Sequence, residues 1–206
     1  RQDLSVVVQA ATGSGKTHAY LVPIFNEIDE AAHYVQAIVT LPSRELADQL
    51  YQVARKLRDA AGMHFSIAHL AGGTDRERQL EKYQNNTPQL VIATPGRLLD
   101  FVQKKVFAVD QVKTFVIDEA DMTLDMGFLS DIDQVASKMP KDVQIAAFSA
   151  TIPVKLSNFL RKYMAHPDQI VIDNPSIIAP TIKNDLIDIG SKDRKNVLYK
   201  VLTLSL

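Results

Sequence analysis

Two periods of hydrophobicity alternate along the chain. Short, continuous apolar runs rich in Val, Ile and Ala recur at Leu4–Ala10, Ala37–Leu41, Phe65–Leu70, Leu90–Ala93, Thr114–Ile117, Val143–Phe148 and Gln169–Ile172. Runs of that length and composition predict strands covered on both faces. Between them the spacing is helical. From Lys16 to around Glu30 the positions Tyr20, Leu21, Ile24, Phe25 and Ile28 share one face, and from Ser43 to Ala61 Leu46, Leu50, Val53 and Leu57 do, with Ser43 as the N-cap. Further helices are expected from Thr74 to Tyr83, over Pro95–Gln103 with proline in the first turn, and over Leu129–Met139 and Pro153–Met164; Asn85–Pro88 reads as a turn. Strand and helix alternate throughout, which predicts an α/β fold built on a mostly parallel sheet with helices on both faces.

The pattern breaks once. Asn174–Thr181 holds two prolines and no period, so residues 1–174 are expected to form one domain and 175–181 a linker. Beyond it, Ile182–Ile189 alternates like a strand and Lys192–Leu206 is spaced like a helix, the expected opening of a second domain over 182–206. The chain begins at Arg1 without Met and stops at Leu206 inside an amphipathic pattern (Val197, Leu198, Val201, Leu202), so it is expected to be a piece of a longer protein.

Composition narrows the classes. The 206 residues are 46% hydrophobic and 23% charged, enough for one full core in a soluble domain. A net charge of -1 does not advertise a nucleic-acid partner, so any such surface must be local. With no cysteine, disulfides and thiolate metal sites are excluded, in keeping with a reducing compartment. No apolar run approaches the roughly 20 residues that cross a bilayer, and a cytoplasmic protein with no membrane contact is expected.

The first run ends in Ala10-Ala11-Thr12-Gly13-Ser14-Gly15-Lys16-Thr17. A strand that breaks into glycines and restarts as a helix aims several unpaired backbone N–H groups at one spot, which the helix dipole also favours for negative charge. That arrangement suits a polyphosphate, with Lys16 bridging the β and γ phosphates and the Thr17 hydroxyl taking one position on Mg²⁺. Ala10 stands where the general pattern usually has Gly. About a hundred residues later, by this pattern, Asp118 and Glu119 follow the run Thr114–Ile117. In an open parallel sheet, ligands gather at the carboxyl ends of the strands, so Asp118 and Lys16 are expected to converge. Asp118 would hold Mg²⁺ and Glu119 would orient or deprotonate an attacking water. Taken alone, the first stretch also fits an ordinary glycine turn, and the second a helix N-terminus that favours acids.

Asp118-Glu119-Ala120-Asp121 completes a tetrad, and here the chain resembles the first RecA-like domain of DEAD-box ATP-dependent RNA helicases, of bacterial type. Several motifs match in the family's order. The phosphate loop is similar to motif I, Leu41–Ala47 to motif Ia with Ser43 where Thr is usual, and Gly72-Gly73 to the glycine doublet. Thr94-Pro95-Gly96-Arg97 is similar to the TPGR motif, Asp118–Asp121 to the motif that names the family, and Ser149-Ala150-Thr151 to motif III; Asp125–Phe128 fits the usual sequel to the tetrad. The resemblance implies a RecA-like P-loop NTPase fold, ATP and Mg²⁺ as cofactors, and sequence-nonspecific binding of single-stranded RNA or short duplexes. It implies RNA contact from Pro42, Ser43, Arg44, Gly72, Gly73, Thr94, Pro95, Gly96 and Arg97, and coupling between sites through Asp121, Ser149 and Thr151. Arg44 and Arg97, at helix starts, can take backbone phosphates, while Gly73 and Gly96 admit a close strand. For Pro42–Glu45 and for the TPGR stretch, plain helix starts are the alternative.

The family's upstream adenine-recognising Q motif is not matched, nor are the second domain's arginines, so this piece alone is expected to be a poor ATPase. Three rivals stay open: a DNA-acting helicase of the same superfamily, an ATP-gated RNA clamp or scaffold without unwinding, and an unrelated P-loop ATPase or kinase. A monomer is expected. His18, His33, His64, His69 and His166 show no metal-ligand spacing. Met122, Met126, Met139 and Met164 are expected in packing, and Asp75, Arg76, Glu77 and Arg78 on a solvated helix face.

Overall fold

The computed structural model describes residues 5–11, 13–73, 76–164, 166–172, 187–190 and 192–204. Strands β1 (Val6–Gln9), β2 (Ala37–Thr40), β3 (Ile67–Leu70), β4 (Leu90–Ala93), β5 (Thr114–Ile117), β6 (Gln144–Ser149) and β7 (Asp168–Val171) form one sheet in the order β3-β4-β2-β5-β6-β1-β7. Each pairing among them is parallel. Between the strands lie α1 (Lys16–Glu27), α2 (Arg44–Ala60), α3 (Arg76–Asn85), α4 (Pro95–Gln103), α5 (Ala120–Asp125), α6 (Leu129–Ala136) and α7 (Val154–Arg161).

Alternation along each strand splits the core in two. Val7, Ile38, Val91, Phe115, Ile117 and Ala147 face one layer, where α4, α6 and α7 add Leu98, Phe101, Ile132 and Leu156. Val8, Val39, Ile92, Val116 and Phe148 face the other, where α1 and α2 add Leu21, Phe25 and Leu50. Burial on both faces is the physical reason that these strands read as unbroken apolar runs.

The registers position everything that follows. Gln9 pairs with Ser149, Thr40 with both Ile117 and Ala93, and Leu70 with Ala93. β3, β4, β2 and β5 therefore end in line, β6 and β1 end together two positions further on because Ile117 pairs with Ala147, and the segments leaving all six emerge along one rim.

Several expectations need correction. Helix α5, only six residues long, was not foreshadowed by any period. Met139 and Met164 are buried, but Met122 is 42% and Met126 47% exposed, because α5 turns that side away from the core. Arg76 is not simply solvated: its guanidinium grips the Asp100 carboxylate of α4 through two bonds of 2.8 and 2.7 Å. Strand β3 begins at Ile67 rather than Phe65, and α6 and α7 are shorter than their patterns.

The chain divides into two compact units, Arg1–Asn174 and Pro175–Leu206. In the second, the described residues form helix α8 (Arg194–Leu204), while 187–189 have no regular structure. The expected linker, residues 182–186 of the expected strand, and Leu4, Thr12, Thr74 and Asp75 lie outside the described residues.

Candidate functional site

The rim is built by short segments that each leave a parallel strand. β1 runs into Ala10, which is buried and whose N–H bonds Ser149 O at 2.9 Å. Gly13 (φ 84°) and Gly15 (φ 90°) then take left-handed backbone, where any Cβ is strained. Gly15 is the N-cap of α1 and Lys16 its first residue, so the first-turn amides of α1 point back into the loop. Thr12 is outside the described residues, and Thr17 is half-buried in that first turn.

Lys16 and the acid pair, more than a hundred positions apart, do meet. Lys16 Nζ, 8% exposed, donates to Ala10 O at 3.1 Å and to Glu119 Oε1 at 3.4 Å. Asp118, 5% exposed, follows β5; its Oδ1 accepts the Glu119 N–H at 2.9 Å and its Oδ2 the Tyr20 hydroxyl at 2.8 Å. Burial pushes the Asp118 carboxyl above its ordinary range, opposed by the Tyr20 hydroxyl, the Glu119 amide and the charge of Lys16. Burial and the neighbouring Asp118 likewise hold the proton on Tyr20. Glu119 itself adopts φ 48°, ψ 52° at the N-cap of α5. A non-glycine residue there costs about 1–2 kcal/mol, and what it gains is a carboxylate aimed at Lys16.

A second network joins the same edge. The Asp121 N–H donates to Ser149 Oγ at 2.9 Å, and Asp121 Oδ2 accepts both the Thr151 hydroxyl at 2.8 Å and the Thr151 N–H at 3.0 Å. Partial burial pushes the Asp121 carboxyl up, but the bonds from Thr151, Ser149 and the Met122 and Thr151 amides outweigh it and hold the group below its ordinary range. Because Ser149 also bonds Ala10 through its carbonyl, three separate stretches of sequence form one connected unit.

The other half of the rim holds the remaining candidates. Ser43 caps α2, its Oγ accepting the Leu46 N–H at 3.3 Å, and Arg44 leads the helix with its side chain half-exposed and Nε 3.6 Å from Asp48 Oδ2. Gly73 (φ 81°) lies directly over that guanidinium, since a Cβ there would fall 2.0 Å from Arg44 Nη1. Gly72, Gly73 and Gly96 are exposed. Thr94 joins β4 to α4 and Arg97 is half-buried, with Nη1 unpartnered among the described residues. The rings of Pro42 and Pro95 are buried, so these two positions set helix starts rather than offer a surface.

Read across the sheet, the rim divides. Gly72 and Gly73, Thr94 to Arg97, and Pro42 to Arg44 follow β3, β4 and β2, three neighbouring strands. Asp118 and Glu119, the stretch from the strand-end Ser149 to Thr151, and the glycine loop lie at the ends of β5, β6 and β1, the next three.

Sequence reasoning missed Tyr20 as a polar participant. The one signal was its place four residues after Lys16, on the same helical face. Among the described residues no cluster of three or more His, Asp or Glu could hold a metal by itself, and no helix is long and apolar enough to cross a membrane.

The DEAD/DEAH box helicase family matches over residues 1–159. The chain is 42% identical over 200 residues to the DEAD-box ATP-dependent RNA helicase CshB of Bacillus subtilis (strain 168), covering 97% of this chain and 45% of that protein. It is 35% identical over 197 residues to the ATP-dependent RNA helicase CshA of Listeria monocytogenes serovar 1/2a, covering 96% of this chain and 37% of that one. A DEAD box protein from the hyperthermophile Methanococcus jannaschii superposes with a TM-score of 0.76 at 34% identity, over 82% of this chain and 45% of its own. The chain thus spans less than half the length of the curated relatives it matches. With its ordered motifs laid along one rim of a parallel sheet, it belongs to the DEAD/DEAH box helicase family.

Proposed function

We propose that this chain is the first motor domain of an ATP-dependent RNA helicase, a RecA-like domain over residues 1–174 that continues through 175–181 into a second domain opening at 182. The observation that carries the reading is the division of the rim, with phosphate-loop and acid residues after β5, β6 and β1 and exposed arginine and glycines after β2, β3 and β4. ATP binds on the first half and a single RNA strand on the second. Cytoplasm, which supplies both, is the expected compartment.

The donor set fits a hard divalent cation: a buried carboxylate whose oxygens each keep a free lone pair, and the hydroxyl of Thr17. Asp118 and Thr17 would hold Mg²⁺, through water in the case of Asp118, and the ion supplies charge neutralisation at the phosphates. The chain's own residues do the rest. Amides of the loop from Ala10 to Thr17 cradle the phosphate oxygens, and Lys16 leaves Ala10 O and Glu119 for the β and γ phosphates. Glu119 then accepts a proton from the water that attacks the γ phosphorus, as the bond from that phosphorus to the β-γ bridging oxygen breaks. On the RNA side Arg44 and Arg97 contact phosphates, beside Ser43 and Thr94, and Gly72, Gly73 and Gly96 allow close approach; such contacts grip backbone rather than base. Asp121, Ser149 and Thr151 couple nucleotide state to RNA binding, and their shared bonds tie the acid segment after β5 to the start of the glycine loop at Ala10. In the whole protein, this coupling turns hydrolysis into local separation of short duplexes or remodelling of ribonucleoproteins.

The test is Glu119→Gln in the whole protein. ATP turnover stimulated by RNA should fall by about 10²–10⁴-fold while nucleotide affinity stays within about threefold. Wild-type turnover that RNA leaves unchanged would sink the reading.

A further inference from the structure

Tyr20 belongs to none of the motifs, yet it touches the residue on which the cation site depends. It lies one turn after Lys16 and Thr17 on α1, is 4% exposed, and donates to Asp118 Oδ2 at 2.8 Å. Its ring packs against Phe148 of β6, centroids 5.2 Å apart at 59°, so the hydroxyl is delivered by the core rather than by a freely turning side chain. Asp118 Oδ1 is held from the other side by the Glu119 amide. The carboxylate is thus fixed at both oxygens by donors on two different elements, α1 and the turn into α5. A phenyl ring would fill the same volume in the core and leave Oδ2 without its donor. A buried, ionised carboxylate with one such bond removed is free to rotate about its last torsion.

We infer that Tyr20 is a positioning residue for the divalent cation: its hydroxyl sets the orientation of the Asp118 carboxylate and ties that acid to the helix that carries Lys16 and Thr17. The inference rests on the reading of Asp118 as the cation-holding acid. It has a directional consequence: metal-free nucleotide contacts come from the amides of the glycine loop and from Lys16, whereas metal-dependent binding runs through Asp118 and the Thr17 hydroxyl, the two groups that the Tyr20 hydroxyl faces.

The experiment compares the wild-type chain, Tyr20→Phe and Asp118→Asn for binding of a fluorescent ADP analogue, in EDTA and across a Mg²⁺ titration, with Mn²⁺ electron paramagnetic resonance as a direct report on the ion's surroundings. Tyr20→Phe should keep the wild-type affinity in EDTA within about twofold, which also shows that the site is folded, and should need about tenfold more Mg²⁺ to reach half its effect, the loss of one bond to a charged group. Its Mn²⁺ spectrum should broaden relative to wild type. A Mg²⁺ midpoint equal to wild type in Tyr20→Phe, alongside a shifted one in Asp118→Asn, would overturn the role of Tyr20 and leave that of Asp118 standing. A wild-type affinity indifferent to Mg²⁺, with Asp118→Asn unchanged, would overturn both.

Discussion

Asp118 and His69 show how much a single side chain's surroundings decide. Asp118 keeps a charge in a place that disfavours it, because burial outweighs the help it receives from Tyr20, the Glu119 amide and Lys16. Removing the charge while keeping the shape should therefore stabilise the fold. Asp118→Asn is expected to melt several degrees higher than wild type without nucleotide, a gain of about 1 kcal/mol, and differential scanning calorimetry checks it. His69 makes the opposite kind of test. Burial pulls its ring below the ordinary 6.5, Asp48 opposes that and Arg44 adds to it. The unfolded chain therefore takes up the proton first as pH falls. Stability is full above the ordinary value and is lost progressively as pH drops through 6.5 towards the lower folded value. In urea melts at about pH 7.5 and about pH 5.5, wild type should lose more stability than His69→Gln; equal losses would remove His69 as the cause. At this scale the sequence was a partial guide. Lys16, Asp118 and Glu119 could be picked out because glycines and a strand end announce them. Tyr20 could not, since an aromatic residue on the apolar face of α1 looks the same whether its hydroxyl is idle or bonded. The left-handed turn of Glu119 was equally hidden, for nothing in its neighbours demands it.

Elements were legible in proportion to their length and burial. The doubly covered strands announced themselves as unbroken apolar runs, and α2 as a capped amphipathic helix. Helix α5 did not, because its six residues span too few turns to establish a period, and the ends of β1, β3, α6 and α7 shifted by a few positions where apolar residues continue past the last ladder or helical bond. Two substitutions test what sets the start of α2 and its neighbour. Ser43→Ala removes the cap on Leu46 and should cost about 1 kcal/mol of unfolding free energy in urea. Gly73→Ala has two effects to separate. Its positive φ should cost about 1 kcal/mol, and its methyl group must displace the Arg44 guanidinium. If Arg44 holds RNA, affinity should fall several-fold in the Gly73→Ala chain, measured by fluorescence anisotropy on a single-stranded oligonucleotide; unchanged affinity would remove Arg44 from that role.

Across the whole molecule the balance of parts is uneven. Among the described residues, both hydrophobic layers are assembled from positions that precede 165. A chain ending at Asn174 is therefore expected to unfold in one transition at the same midpoint as the 206-residue chain; a midpoint lowered by several degrees would show that the remainder contributes to the first unit's stability. Strand order was beyond sequence reading, since the alternation of elements fixes neither which strands pair nor where the chain doubles back. That order has a consequence for the birth of the protein. β1, which carries the phosphate loop, is made first but sits between β6 and β7, and the Ser5 hydroxyl beside it waits for the Ile145 amide, 140 positions downstream. At about 5–20 residues per second, the ribosome needs roughly 7 to 30 seconds to deliver that partner. During that interval the apolar run of β1 lacks both of the strands it pairs with in the sheet. A nascent chain stalled before β6 should then be unable to capture nucleotide, however complete its glycine loop, and should be a ready client for chaperones.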